Sequence, residues 1–399
     1  MKYSRVHLDA LGYELPPVVV SSAELEQRIA PVYGALRISP GQLEALTGIV
    51  ERRWWERGYP VSQGAVAAAR KAIERSNVAA SDLEAVIYAG VCRENFEPAT
   101  ACAVASALGV SPDALVYDVS NACLGVLNGI LEIANRIELG QIRAGLVVSC
   151  ESSRDINETM IDEMLRRPTM EMFTHSLATL TGGSGAAAVL LTDGSFGAET
   201  SRRLLGAVSK AAPEHHELCR WGVTWSPVEW TRLLFSPERL MSVLQHLMDP
   251  ETIPSVVKKL MTHDKLPAAV AKVLPSEKIP AALTQFMSTD SVGVLKHGVA
   301  LGVRTWASFL HKLGWADDEI DKVICHQVGS GHRDTILKEC GIAPEKDFST
   351  YRHLGNMGTV SLPLTAALAD QRRFLRENDR VGFLGIGSGL NCMMLGWQW

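Results

Sequence analysis

Short, unbroken apolar runs alternate with stretches of helical periodicity along most of the chain. Residues 62–75 (SQGAVAAARKAIER) place apolar side chains at helical spacing. Residues 83–91 (LEAVIYAGV) follow as a run short enough for a strand and apolar almost throughout, the pattern of a strand buried on both faces. The rhythm continues with an Ala-rich helix at 99–108, a strand at 114–119, a helix at 125–139 and strands at 144–150 and 185–191. After a different middle segment it returns: helix 292–313, strand 322–326, helices 332–340 and 361–377, strands 380–385 and 391–397. This alternation predicts a layered α/β fold with a mostly buried sheet. Similar element order in the two halves predicts a structural duplication, although no sequence repeat is visible.

The middle segment, 233–285, is cut by Pro237, Pro250, Pro254, Pro267, Pro275 and Pro280 into short pieces. One of them sets Leu240, Val243, Leu244 and Leu247 on a single helical face. Its charges nearly cancel, so it reads as an inserted helical cap rather than a membrane-docking helix. The expected organisation is an N-terminal half over 1–232, an insertion over 233–285 and a C-terminal half over 286–399.

Composition narrows the function classes. The 399 residues are 47% hydrophobic and 21% charged with a net charge of −5, a balance that fits a globular protein and offers no basic excess for nucleic acid. The eight cysteines are scattered without C-x-x-C spacing, which points to a reduced, cytoplasmic setting. Arg5, Asp9 and Glu14 interrupt the N-terminus where a signal peptide needs its apolar stretch, and no run is long enough to span a membrane. The adjacent His215 and His216 have no partner at ligand spacing, so no metal site is expected. The glycines near the C-terminus have no βαβ unit after them, so no dinucleotide cofactor is expected either.

Candidate chemistry lies in three places. Cys123, in DVSNACLG, falls between a strand end and the start of a long helix, where the helix dipole and free N–H groups are expected to lower its pKa and favour nucleophilic attack. His326, in VICHQVGSG, ends a buried strand beside a glycine-bearing loop. Asn356 sits between glycines in HLGNMG. Taken singly, a buried cysteine, a strand-end histidine and an Asn-Gly turn are ordinary structural features.

Together, in this order and closed by the Gly385-Ile-Gly-Ser388-Gly loop, they resemble the thiolase superfamily, and within it the β-ketoacyl-ACP synthase III group. Residues 93–100 (RENFEPAT) and 121–124 (NACL), with the closing segment, look most like the OleA type, acyl-CoA condensing enzymes of bacterial olefin biosynthesis. The resemblance implies duplicated βαβαβαββ halves in a five-layer αβαβα arrangement with a helical insertion. It implies Claisen condensation of two long-chain acyl-CoA or acyl-ACP thioesters through an acyl-Cys123 intermediate, in a homodimer, with no cofactor and with downstream hydrocarbon-pathway enzymes as partners.

By the same resemblance, the backbone N–H groups of Cys123 and Ser388 form an oxyanion hole, and His326 and Asn356 donate to the thioester carbonyl whose α-carbon becomes the nucleophile. Glu97, supplied across the dimer interface, is the base that an unactivated acyl thioester requires. Leu46 stands where initiating synthases carry an Arg, and Val-Gly-Ser-Gly follows His326-Gln327 where they carry an Asn. Both departures weaken a reading as the initiator of fatty acid synthesis. The insertion is longer than in the OleA pattern, and its Leu/Val/Met-rich faces are expected to extend or gate an acyl tunnel. A decarboxylating synthase using malonyl-ACP, or acyl transfer to another nucleophile, stays open. An inactive partner subunit does not fit a chain that keeps Cys123, His326 and Asn356.

Overall fold

The computed structural model describes residues 1–197, 202–226 and 282–399. Most of the expected insertion, 233–281, and its proposed tunnel faces lie outside the described residues. Residues 282–285, read as the end of a helical cap, begin a strand instead.

The first part of the chain runs β1 (His7–Glu14), β2 (Val18–Ser21), α1 (Ser22–Arg28), α2 (Ala30–Leu36), α3 (Gln42–Thr47), β3 (Glu51–Trp54), α4 (Val61–Ile73), β4 (Ala85–Tyr88), α5 (Thr100–Leu108), β5 (Leu115–Asp118), α6 (Gly125–Glu138), β6 (Ala144–Glu151), α7 (Arg154–Arg166), α8 (Met170–Leu180) and β7 (Gly185–Thr192). The second runs β8 (Arg203–Ala211), β9 (Cys219–Ser226), β10 (Ala282–Thr289), α9 (Ser291–Leu313), β11 (Lys322–Cys325), α10 (Ser330–Glu339), α11 (Tyr351–Leu354), α12 (Ser361–Gln371), β12 (Arg380–Gly387) and β13 (Asn391–Gln398), with helices numbered among the described residues. Two compact units emerge, residues 1–220 with 287–399, and residues 221–286. Within the second, Trp221 Nε1 donates to Gln285 Oε1 at 3.4 Å.

In the larger unit the strands follow the order β5-β4-β6-β7-β1, then β8-β13-β12-β11, the two sets meeting through a single bridge between His7 and Arg203. The halves repeat each other. β4 and β6 are parallel as β11 and β12 are, and the β6·β7 and β7·β1 pairs are antiparallel as the β12·β13 and β13·β8 pairs are. Where the first half has β5 beside β4, the second keeps one parallel bridge, Asp347 to Val323. β8, inside the expected 1–232 half, thus supplies the second sheet, and the structural halves divide ahead of it.

Alternation along the strands explains the layers. Val86 and Tyr88 pack with α4 and α5, whereas Ala85 and Ile87 pack with α6 and α12. In the second sheet Ile324 joins that same central cluster, whereas Val323 and Cys325 pack on the outer side with α9. The result is helix, sheet, helix, sheet, helix, with α6 and α12 sandwiched in the middle. A side cluster of α1 to α3, α7 and α8 surrounds Trp54. The expected helix 361–377 stops at Gln371, where Arg373 takes a left-handed φ of 56°. Among the described residues no helix is long and apolar enough to cross a membrane.

Candidate active site

The two central helices start close together, and the site is built on their N-termini. Ala122 holds φ 45°, a conformation that costs a non-glycine residue energy, and this turn places Cys123 at the head of α6. The first N–H groups are already engaged: Leu124 donates to Asn121 O at 2.8 Å, Gly125 to Ala122 O at 3.3 Å and Val126 to Thr359 Oγ1 at 2.7 Å. Asn121 is held in turn by Asn391 Nδ2 at 3.0 Å. The Cys123 and Ser388 backbone N–H groups donate to no other residue among the described residues.

The closing loop packs directly on this turn. A Cβ added at Gly387 would lie 3.4 Å from Cys123 N and 3.6 Å from Cys123 Cβ, and one added at Gly385 would strike Leu124 and Leu127 at about 2.6 and 2.5 Å. The strand end and the helix head are thus in direct contact, and a side chain at Gly385 would have to displace Leu124 and Leu127. Ser388 follows immediately after Gly387.

Asn356 precedes α12 as Cys123 precedes α6, in the same position of the repeated half. Its backbone bonds to the 181–183 turn, donating to Thr181 O and accepting from Gly183 N–H, both at 2.9 Å. Asn356 Oδ1 accepts from Gly358 N–H at 3.0 Å. That bond fixes the orientation of the amide, whose oxygen accepts from Gly358 and whose NH₂ is the donor end.

His326 follows β11 and donates its N–H to Leu384 O at 2.9 Å, beside the strand that carries the Gly387 contact. Gln327 next to it is 2% exposed; its Nε2 donates to Cys325 O at 2.6 Å and its Oε1 accepts from Thr350 and Tyr351 N–H. One side chain therefore ties the His326 strand end to the segment leading into Asn356. Burial, with His332 adding, lowers the His326 pKa to about 3, so the ring is neutral near pH 7, with one nitrogen bearing the proton and the other a lone pair.

One expectation changes. Burial, with smaller effects from Cys219 and Glu151, pushes the Cys123 thiol up to about 12, against the lowering expected at a helix head. The desolvation cost of a buried thiolate is the largest of these effects. Glu97 stands on the exposed stretch 93–98 and makes no hydrogen bond or ion pair among the described residues. That stretch is pinned at both ends. Val91 and Cys92 donate their N–H groups to Glu151 Oε1 and Oε2 at 2.8 and 3.1 Å, and Thr100 and Ala101 donate theirs to Asp118, both at 2.9 Å. The loop so fixed presents Glu97 and Phe96 outward, and Phe96 is 93% exposed.

Comparison with known proteins agrees with this geometry. The thiolase N-terminal domain family matches residues 57–194, and the 3-oxoacyl-[acyl-carrier-protein] synthase III C-terminal family matches 310–399. An acyl-CoA:acyl-CoA alkyltransferase of Shewanella oneidensis is 52% identical over 401 residues, covering 100% of both chains. The chain belongs to the acyl-CoA:acyl-CoA alkyltransferase family. Its relative from Xanthomonas campestris is 29% identical, again over 100% of both chains. The crystal structure of a Cys-to-Ser variant of Xanthomonas OleA with bound lauric acid and lauroyl-CoA superposes with a TM-score of 0.81 at 29% identity, covering 100% of both chains.

Within this alkyltransferase-family chain, several site residues escape sequence reasoning. Glu151 falls just past the expected strand 144–150, Thr359 just ahead of the expected helix at 361, and His332 begins the expected helix 332–340; none stands out, because their partners lie far away in sequence. Thr359 is 1% exposed and tethers the head of α6 across 233 residues. Thr359→Val, which keeps the shape and orphans Val126 N–H, is expected to lower unfolding free energy by about 1–3 kcal/mol. Urea titration checks this; an unchanged midpoint would show that α6 needs no such tether.

Proposed function

We propose that this chain catalyses head-to-head Claisen condensation of two long-chain acyl-CoAs, giving a β-keto acid or thioester. The observation that carries the reading is a neutral, buried His326 ring and the Asn356 amide on loops that are tied to β12 and to the head of the Cys123 helix, by His326 N–H to Leu384 O and by Val126 N–H to Thr359 Oγ1. In the first step the Cys123 sulfur attacks the thioester carbonyl of one acyl-CoA. The new C–S bond forms first, with the tetrahedral oxyanion on the N–H groups of Cys123 and Ser388; the bond to CoA then breaks, and the proton given up by the Cys123 thiol passes to the departing CoA sulfur.

In the second step a base removes the α-proton of another acyl-CoA, and His326 and Asn356 stabilise the charge that develops on its carbonyl oxygen. The α-carbon then attacks the acyl group on Cys123, forming the C–C bond as the C–S bond breaks; the sulfur regains its proton from the base, and the product is a β-ketoacyl-CoA, whose hydrolysis by water gives the β-keto acid and CoA. Glu97 of a second copy fits the role of base. It is the carboxylate of a pinned, outward loop with an exposed aromatic ring beside it, a surface suited to burial in a homodimer. The glutamate and cysteine substituted in the Xanthomonas structures have the same sequence spacing as Glu97 and Cys123, which supports the assignment.

Eight free cysteines fit a reduced, cytoplasmic setting, and the reactive β-keto product calls for downstream enzymes that consume it. The experiment that tests the reading supplies a long-chain acyl-CoA as sole substrate and analyses the product by mass spectrometry. A product containing both acyl chains is expected, and its absence would overturn the reading.

A further inference from the structure

Behind His326 lies a second feature that the chemistry above leaves unused. A cavity of about 30 Å³ is walled by apolar side chains, among them Val299, Ile336 and Leu384, and both His326 and His332 reach its lining. Nδ1 of His326 and Nε2 of His332 are each sealed from solvent without a hydrogen-bond partner. Arg333 also reaches this wall, with its guanidinium engaged by Asp347 at 2.6 Å, Asp334 at 3.2 Å and Pro344 O at 3.0 Å. The thiols of Cys325 and Cys392 complete the polar lining.

Two buried, unpartnered ring nitrogens are expensive, and a polar corner of this volume holds one or two waters. Burial keeps both rings neutral, with pKa values lowered to about 3 for His326 and about 4 for His332. Each ring therefore carries one N–H and one lone pair, and a partner at one nitrogen decides which is which.

We propose that His332 is a positioning residue for His326. A water bound between them donates to Nδ1 of His326 and is held by Nε2 of His332, which fixes His326 in the tautomer bearing its proton on Nε2. That proton is the one offered to the thioester oxygen, so the inference rests on the reading of His326 as a donor to the enolate. The relation is that of an outer partner orienting a histidine at a working centre, where loss of the partner costs roughly 10- to 100-fold.

The test uses the full-length protein labelled with ¹⁵N-histidine, with the His326 signals assigned by their loss in His326→Ala. Wild type is expected to show a single neutral ring protonated at Nε2. His332→Phe, which fills and dries the cavity, is expected to give mixed tautomers and to slow condensation about tenfold with the initial CoA burst unchanged. His332→Gln, able to hold the water, is expected to recover most of that rate. A wild-type ring protonated at Nδ1, or a His332→Phe protein with wild-type tautomer and rate, overturns the proposal; should His332→Phe not fold, the wild-type spectrum and His332→Leu decide it. Normal condensation by His326→Ala would instead defeat the donor reading itself. Loss of condensation in His326→Ala beside an unaffected His332→Phe would defeat only the role of His332.

Discussion

Cys123→Ala protein is expected to release no CoA on mixing with a long-chain acyl-CoA and to lose turnover on the order of 10⁶-fold, the scale seen when a covalent nucleophile is removed. Nothing else at the head of α6 can accept the acyl group, since Ala122, Leu124 and Gly125 have no nucleophilic side chain. Cys123→Ser should fare little better, because a hydroxyl is intrinsically a much weaker nucleophile than a thiol and is less acidic still in the same buried position. Both substitutions change only the side-chain terminus at position 123, so substrate binding is expected to survive. Acyl-CoA labelled in the acyl chain, followed by peptide mapping of the wild type, should place the label on the peptide containing Cys123. Label on Cys219, which lies near enough to influence the Cys123 thiol, would refute the assignment.

Glu97→Gln separates the two halves of the reaction. The amide keeps the shape of the side chain and removes its basicity, so acylation of Cys123 should proceed while condensation falls by roughly 10²- to 10⁴-fold. The expected trace is a normal burst of CoA followed by slow appearance of product. The pinned ends of the 93–98 loop make this a clean substitution, because Glu151 and Asp118 hold the backbone without help from Glu97. Near-normal turnover would remove Glu97 from the role of base. Loss of the burst would move it to acylation or to assembly of the site.

The duplicated architecture was legible because strands buried on both faces show as continuous apolar runs, as in 185–191, and because α4, α6 and α9 keep helical spacing between them. β1 was not legible. It lies in mid-sheet, yet it carries Asp9 and Gly12 and reads as neither run nor alternation. Gly12 is needed there, since a Cβ would meet Ala68 O at 2.1 Å. β8 was hidden for a different reason: its place in the second sheet follows from pairing with β13, almost two hundred residues away.

Cys123, His326 and Asn356 stood out through their order and their strand-to-loop setting, whereas their supports did not. Gln327, Thr359 and Glu151 act through backbone groups brought near only by folding. The acidity of Cys123 was misjudged for a related reason: the helix head is visible in sequence, whereas the burial that opposes it is a tertiary property.

The central claim is that carbon–carbon bond formation here needs no decarboxylation. Wild-type protein given one long-chain acyl-CoA, with malonyl-ACP absent and then present, and with products read by mass spectrometry, tests it directly. The account predicts a β-keto product carrying both acyl chains, or the ketone left when that product loses carbon dioxide, from acyl-CoA alone. A condensed product that forms only when malonyl-ACP is supplied, or free fatty acid as the only product, would contradict it.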